Sequence, residues 1–208
     1  MTPAETMQMA RVEREVFAAL LEGLTPQQWE RPTLCKGWCV RDVVAHVIGY
    51  DPLNRTQLMR WMAKGLVTRG GSNAVEVANY AGESPEELIA LMRRYAVPQG
   101  ITAGFGGRIA LTDGMIHQQD IRRPLGLPRT ISIEPLRIAL DFTKWAPRLL
   151  GAVRVRGVRL VATDLDWAHG KGPEVRGSGE ALLMAMAGRR AALADLDGPG
   201  KAKLAQHI

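Results

Sequence analysis

Arg108-Ile109-Ala110-Leu111-Thr112-Asp113-Gly114-Met115-Ile116-His117-Gln118-Gln119-Asp120-Ile121-Arg122-Arg123 is the stretch on which the reading of this chain turns. Apolar side chains recur in it every three to four positions, the period of an amphipathic helix, and the pattern closes before Pro124. Asp113 and His117 stand four positions apart, so on a helix they share a face at a separation of about 6 Å. Side chains that close can hold one ion at ligand distances of about 2.0–2.2 Å. Asp120 lies two turns beyond Asp113 on that face, as a carboxylate that supports a ligand from behind or meets a substrate.

A second helix is predicted from Cys39 or Val40, with Val40, Val43, Val44 and Val47 on one side and His46 bordering that apolar stripe. Asp42 in its first turn suits the positive end of the helix dipole. The chain has 4 histidines, at 46, 117, 169 and 207, and His207 falls in a terminal tail. His46, Asp113 and His117 are therefore the candidate metal ligands, brought together where two helices of a bundle are neighbours. Two imidazoles and a carboxylate with an open position form the set of catalytic zinc sites and of non-haem iron oxygenases. A plainer reading is a satisfied core histidine and an acid–imidazole pair that only stabilises its helix. Asp42 and His46 repeat the same spacing.

Caps and periodicity supply the other elements. A first helix is predicted over about Pro3 to Leu24, with Met9, Val12, Val16 and Leu20 on its apolar face. Thr25-Pro26 opens a short turn ending near Trp29. Asp51-Pro52 reads as a cap and first-turn proline for a helix reaching about Lys64, and residues 65–83, rich in Gly, Asn and Ser, read mostly as loop. Ser84-Pro85-Glu86-Glu87 is a capping box for a helix to about Tyr95. Pro98 to Gly107 is a second loop, and about Pro135 to Leu149 a further helix. The alternation in Val153 to Thr163 then predicts a strand, Glu174 to Gly177 a short returning strand, and Ala181 to Arg190 an apolar helix. The expected fold class is mainly α: a helical bundle over residues 1–150 with a small C-terminal α/β appendage over 151–208.

With 208 residues, 46% hydrophobic and 23% charged, the chain has the composition of a globular protein. No apolar run approaches the ~20 residues of a membrane span. The polar, acidic start Thr2-Pro3-Ala4-Glu5 does not read as a signal peptide, so a cytoplasmic protein without membrane contact is expected. The net charge of +6 is dispersed, with basic runs no longer than a pair, which argues against a nucleic-acid partner and fits attraction of a small anionic substrate. Cys35 and Cys39 make neither a disulfide framework nor a zinc-ribbon spacing, and two reduced, half-buried thiols are expected.

Trp29-x-x-Pro32-Thr33-x-Cys35-x-Gly37-Trp38-x-Val40-Arg41-Asp42-Val43-Val44-Ala45-His46 resembles the opening of the mycothiol-dependent maleylpyruvate isomerase family, in the DinB-like superfamily. Asp113 to Gly126 is similar to that family's second signature, and Gly188-Arg189-Arg190 to the Gly-Arg that closes the C-terminal helix in many members. The resemblance implies a DinB-like four-helix bundle holding a divalent ion, usually zinc, between His46, Asp113 and His117. Members usually have Glu where this chain has Asp113, and Thr or Ser where it has Cys39, a change that weakens a helix cap by about 1 kcal/mol. The implied activity is a metal-dependent, mycothiol-using thiol transferase or isomerase acting on a small electrophile, with a metal-held thiolate as nucleophile. Asp120 and Arg122 are then catalytic candidates and Arg123 a candidate for binding the thiol cofactor; solvation at the surface is the alternative for both arginines. The appendage resembles small sterol-carrier-like modules, so a non-catalytic small-molecule or lipid-binding protein is the rival reading. A hydrolase using metal-bound hydroxide is a third. The sequence leaves monomer and homodimer open. Trp29 and Trp38 are expected in the core, His169 in a solvent-facing loop, and Arg154, Arg156 and Arg159 along the exposed face of a strand.

Overall fold

The computed structural model describes residues 2–146 and 149–208. They divide into two compact units, one ending at Leu127 and the other beginning at Pro128. The change of character thus comes earlier than the expected residue 150.

The first unit contains α1 (Pro3–Glu22), α2 (Pro26–Trp29), α3 (Val40–Ile48), α4 (Arg55–Val67), α5 (Gly71–Asn79), α6 (Pro85–Arg94) and α7 (Arg108–Leu125). α1, α3, α6 and α7 pack pairwise into a four-helix bundle, and α5 lies against α3 and α4. Phe17 and Leu21 from α1, Trp29 from α2, Val43, Val44 and Val47 from α3, Leu88 and Met92 from α6 and Ile121 from α7 fill one apolar cluster. Removing these side chains from water is the main force joining the helices. The sharp helix starts are local. Thr2 with Glu5, Thr25 with Gln28 and Ser84 with Glu87 each form a capping box, the last as the sequence predicts.

Three local expectations are corrected. On α1 the buried face is Thr6, Ala10, Glu13, Arg14, Phe17, Ala18 and Leu21, while Val12 and Val16 are 46% and 38% exposed. The helix is turned toward its charges because these have buried partners. Arg14 grips Asp51 with two 2.8 Å bonds, and Glu13 accepts from Gln118 Nε2 at 2.7 Å. Asp51 is therefore an ion-pair partner; the cap that starts α4 is Asn54, whose side chain accepts from the Gln57 amide. Residues 71–79, read as loop, form α5, and a Cβ at Gly65 would meet the Ser72 backbone nitrogen at 2.5 Å. Small residues there let α4 and α5 touch.

The second unit comprises α8 (Ile133–Thr143), α9 (Gly151–Arg154), a sheet of β1 (Arg159–Ala162), β2 (Ala168–Gly170) and β3 (Glu174–Gly177), α10 (Gly179–Met186), a 3-10 turn at Arg190–Asp195 and α11 (Lys201–Leu204). Strand order is β2-β1-β3, with β2 antiparallel and β3 parallel to β1. Leu160 and Val175, paired across β1 and β3, are buried, as is all of α10 except Glu180, and α8 packs on that helix. The strand predicted from Val153 begins only at Arg159, because residues 151–154 coil into α9. α8 ends at Thr143, and positions 147 and 148 of its predicted continuation lie outside the described residues. His169 is on β2, half-buried beside Trp167, and not in a loop. No helix among the described residues is long and apolar enough to cross a membrane.

Candidate metal centre

His46 leaves α3 toward α7, and Asp113 and His117 leave α7 toward α3. Asp113 Oδ1 lies 3.9 Å from His46 Nε2 and 3.4 Å from His117 Nε2. The two imidazoles stand nearly perpendicular, centroids 4.9 Å apart. Three ligands at about 2.0–2.1 Å in tetrahedral array are about 3.3–3.5 Å apart, so these atoms need little movement to share one cation. The side chains of His46 and His117 are 13% and 8% exposed and that of Asp113 is 33%, so solvent reaches the cluster on the aspartate side.

Each imidazole turns its other nitrogen to a fully buried carboxylate. His46 Nδ1 is 2.8 Å from Glu76 Oε2 on α5, and His117 Nδ1 is 2.9 Å from Asp120 Oδ2. Carboxylates only accept, so each Nδ1 carries a hydrogen, and a cation held between the rings would meet both Nε2 atoms, replacing the proton that Asp113 otherwise draws onto His117 Nε2. Three carboxylates around two imidazoles form an electron-rich pocket of oxygen and nitrogen donors, which suits zinc or ferrous iron. Burial opposes charge on Asp113 and His117, but their mutual attraction and hydrogen bond outweigh it. They hold the Asp113 carboxyl below its usual range and push His117 well above its own.

Local sequence explains how the third wall is built. Helix α7 runs past Pro124, which the sequence reading took as a stop, to a left-handed Gly126 cap. Proline has no N–H for the Asp120 carbonyl four residues back. That oxygen instead accepts the Leu34 amide at 3.1 Å, docking the Thr33–Trp38 loop on the helix. Cys35 arrives with it: its Sγ donates to Asp120 Oδ2 at 3.0 Å and lies 3.7 Å from His117 Nδ1. Cys35, His117 and Asp120 are thus a second group able to hold an ion, overlapping the first at His117.

The structure brings His46, Asp113 and His117 together, and Asp120 behind His117. Arg122, half-buried, turns its Nε to Gln118 Oε1 at 3.3 Å; Arg123 is half-buried at the next position. Both cysteines are free and half-buried, as expected. Trp29 is in the core, but Trp38 is only half-buried, its ring 5.1 Å from that of His46. Glu76 and the placement of Cys35 escaped sequence reasoning. The available signal for Glu76 was a single acid inside Ala74-Val75-Glu76-Val77-Ala78.

Residues 10–99 match the family model of the mycothiol maleylpyruvate isomerase N-terminal domain. The first resembling segment, Trp29 to His46, falls inside that match, and Asp113 to Gly126 lies beyond it. Two curated relatives, both uncharacterized proteins of Mycobacterium tuberculosis strains, are 29% identical over 92 residues, 44% of this chain and 46% of each relative. The chain thus spans about half the length of the curated relatives it matches. Crystal structures of the mycothiol-dependent maleylpyruvate isomerase and of a histidine-to-alanine mutant of it superpose with TM-scores of 0.59 and 0.60. Identity is 15% and 14%, and each alignment covers 97% of this chain and 94% of the other. The resemblance read from the sequence is borne out in the family match over residues 10–99, and the fold is that of these structures.

Proposed function

We propose that this chain is a metal-dependent enzyme that uses a low-molecular-weight thiol, mycothiol, to attack a small electrophile, as a thiol transferase or isomerase. The observation that supports it best is the convergence of His46 Nε2, His117 Nε2 and Asp113 Oδ1 on one point, each imidazole backed by a buried carboxylate. The match to a mycothiol maleylpyruvate isomerase N-terminal domain supports the choice of thiol.

A divalent cation bound there, zinc in our reading, supplies the positive charge that keeps a thiol ionised near neutral pH, where a free thiol has a pKa of about 8.5. The chain's own groups do the rest. His46 and His117 offer neutral nitrogen donors, and Asp113 offers one negative oxygen on the side open to solvent. Asp120 holds the His117 ring, and Trp38 and Tyr50 flank that of His46 and limit water around it. Arg122 and Arg123, half-buried at the far end of α7, are our candidates for orienting an anionic substrate or cofactor group.

Elemental analysis of the purified protein beside His46→Ala and His117→Ala, with thiol consumption measured against a panel of electrophiles, tests this. The expected result is one divalent ion per chain in the native protein, little in either variant, and mycothiol consumption that a chelator abolishes. Equal metal in all three overturns the site. Turnover of an ester without thiol moves the chemistry to hydrolysis, and a co-purifying lipid with no turnover moves it to carriage.

A further inference from the structure

We propose that Glu76 is a positioning residue of the metal centre: from α5 it fixes the ring orientation and tautomer of His46, so that Nε2 faces Asp113 and His117. The inference rests on reading His46, Asp113 and His117 as the ligand set. Two independent observations carry it.

The first is the contact. Glu76 is 0% exposed, and its Oε2 meets His46 Nδ1 at 2.8 Å. A buried carboxylate is costly unless it has a partner, and here the partner is the ring whose opposite nitrogen points to the cation position. An acceptor at Nδ1 keeps the hydrogen there, leaves Nε2 bare, and makes it a stronger donor.

The second is the room the fold keeps for it. A Cβ on Gly49 would stand 2.5 Å from Glu76 Cγ and 2.5 Å from its Oε1. Gly49 has φ −66°, a value open to any residue, so what this position requires is space rather than backbone freedom. α5 is also held at this height by the Tyr50 hydroxyl, which donates to Asn73 Oδ1 at 3.3 Å. On the other ring Asp120 holds the equivalent place, supplied by α7 itself, whereas Glu76 comes from a separate helix.

The test uses the full chain, free of added thiol, as native protein and as Glu76→Gln, Glu76→Asp, Gly49→Ala and His46→Ala. Zinc affinity is read by chelator competition, and geometry by the visible spectrum of the cobalt-loaded protein. Glu76→Gln keeps the shape but offers an amide N–H that favours the wrong tautomer; Gly49→Ala displaces the carboxylate without removing a charge. Both are expected to weaken zinc binding about 10–100-fold and to alter the cobalt spectrum at native helix content, with partial recovery in Glu76→Asp. A lower unfolding midpoint with native zinc affinity and an unchanged cobalt spectrum would make Glu76 merely structural and overturn the proposal. If His46→Ala loses zinc while Glu76→Gln and Gly49→Ala do not, the positioning role fails and the ligand set stands. If His46→Ala also binds like native protein, the ligand set fails and the positioning role with it.

Discussion

Asp113 is the residue on which the centre's chemistry balances. It is the most exposed of the three candidate ligands, at 33% of its side chain, and the one that faces both Nε2 atoms. Asp113→Asn keeps the size and one acceptor oxygen but removes the charge. It is expected to weaken zinc binding at least about 10-fold with little change in fold, as read by chelator competition and circular dichroism; native affinity would exclude Asp113 from the ligand set. In the second unit, burial and then the Lys144 charge hold the His169 imidazole below 6.5, against the attraction of Asp141. A base with a depressed folded pKa favours the neutral state in the fold. Its contribution to stability is therefore intact above about pH 6.5, the usual histidine value, and is lost as pH falls below it. An NMR titration of the His169 ring is expected to show a midpoint below 6.5. At this scale the clustering of His46, Asp113 and His117 was legible because imidazole and carboxylate at positions four apart leave a mark in one helix. Glu76 and Cys35 were not, because both act across a tertiary contact, at sequence separations of 30 from His46 and 85 from Asp120.

The elements owe their arrangement to buried polar contacts as much as to apolar faces. Arg14 on α1 binds Asp51 after α3 and donates to the Tyr95 carbonyl after α6, while Asp51 also accepts from Gln99 N and Thr102 Oγ1. Asp51→Asn leaves a buried guanidinium without its counter-charge and is expected to cost about 3–5 kcal/mol, as measured by urea denaturation. A loss under about 1 kcal/mol would mean that the pair is no better than a surface one. This pair also explains the misread face of α1. Valines at 12 and 16 look like core in a hydropathy pattern, and only the buried partners of Glu13 and Arg14 turn the helix the other way. Pro124 makes a comparable point on α7. Restoring an N–H with Pro124→Ala gives the Asp120 carbonyl a helical partner in competition with Leu34, so hydrogen exchange at Leu34 is expected to speed up. Unchanged exchange would show that the Leu34 bond does not depend on the N–H missing at Pro124. Helices with strong caps were read within a few residues. α5 was missed because its N-cap is a left-handed Gly70 without a capping side chain, and glycine-rich sequence otherwise signals loop.

Across the whole molecule, the four-helix bundle with a small mixed unit was legible in its class, while the division at Leu127 and Pro128 was not. α8 looks like one more bundle helix, and only its packing on α10 assigns it to the second unit. The first unit is where folding and metal binding should be linked, since one cation would join α3 to α7. At about 100 times its dissociation constant, zinc is expected to stabilise the native protein by about 2.7 kcal/mol, seen as a higher unfolding midpoint that His46→Ala abolishes. The sharpest measurement is zinc K-edge X-ray absorption on the loaded, thiol-free protein, because two overlapping groups compete for the ion. Binding by His46, Asp113 and His117 predicts two imidazole nitrogens and a carboxylate oxygen at about 2.0–2.2 Å and no sulfur. A sulfur at about 2.3 Å with a single imidazole would place the ion on Cys35, His117 and Asp120 and contradict the account.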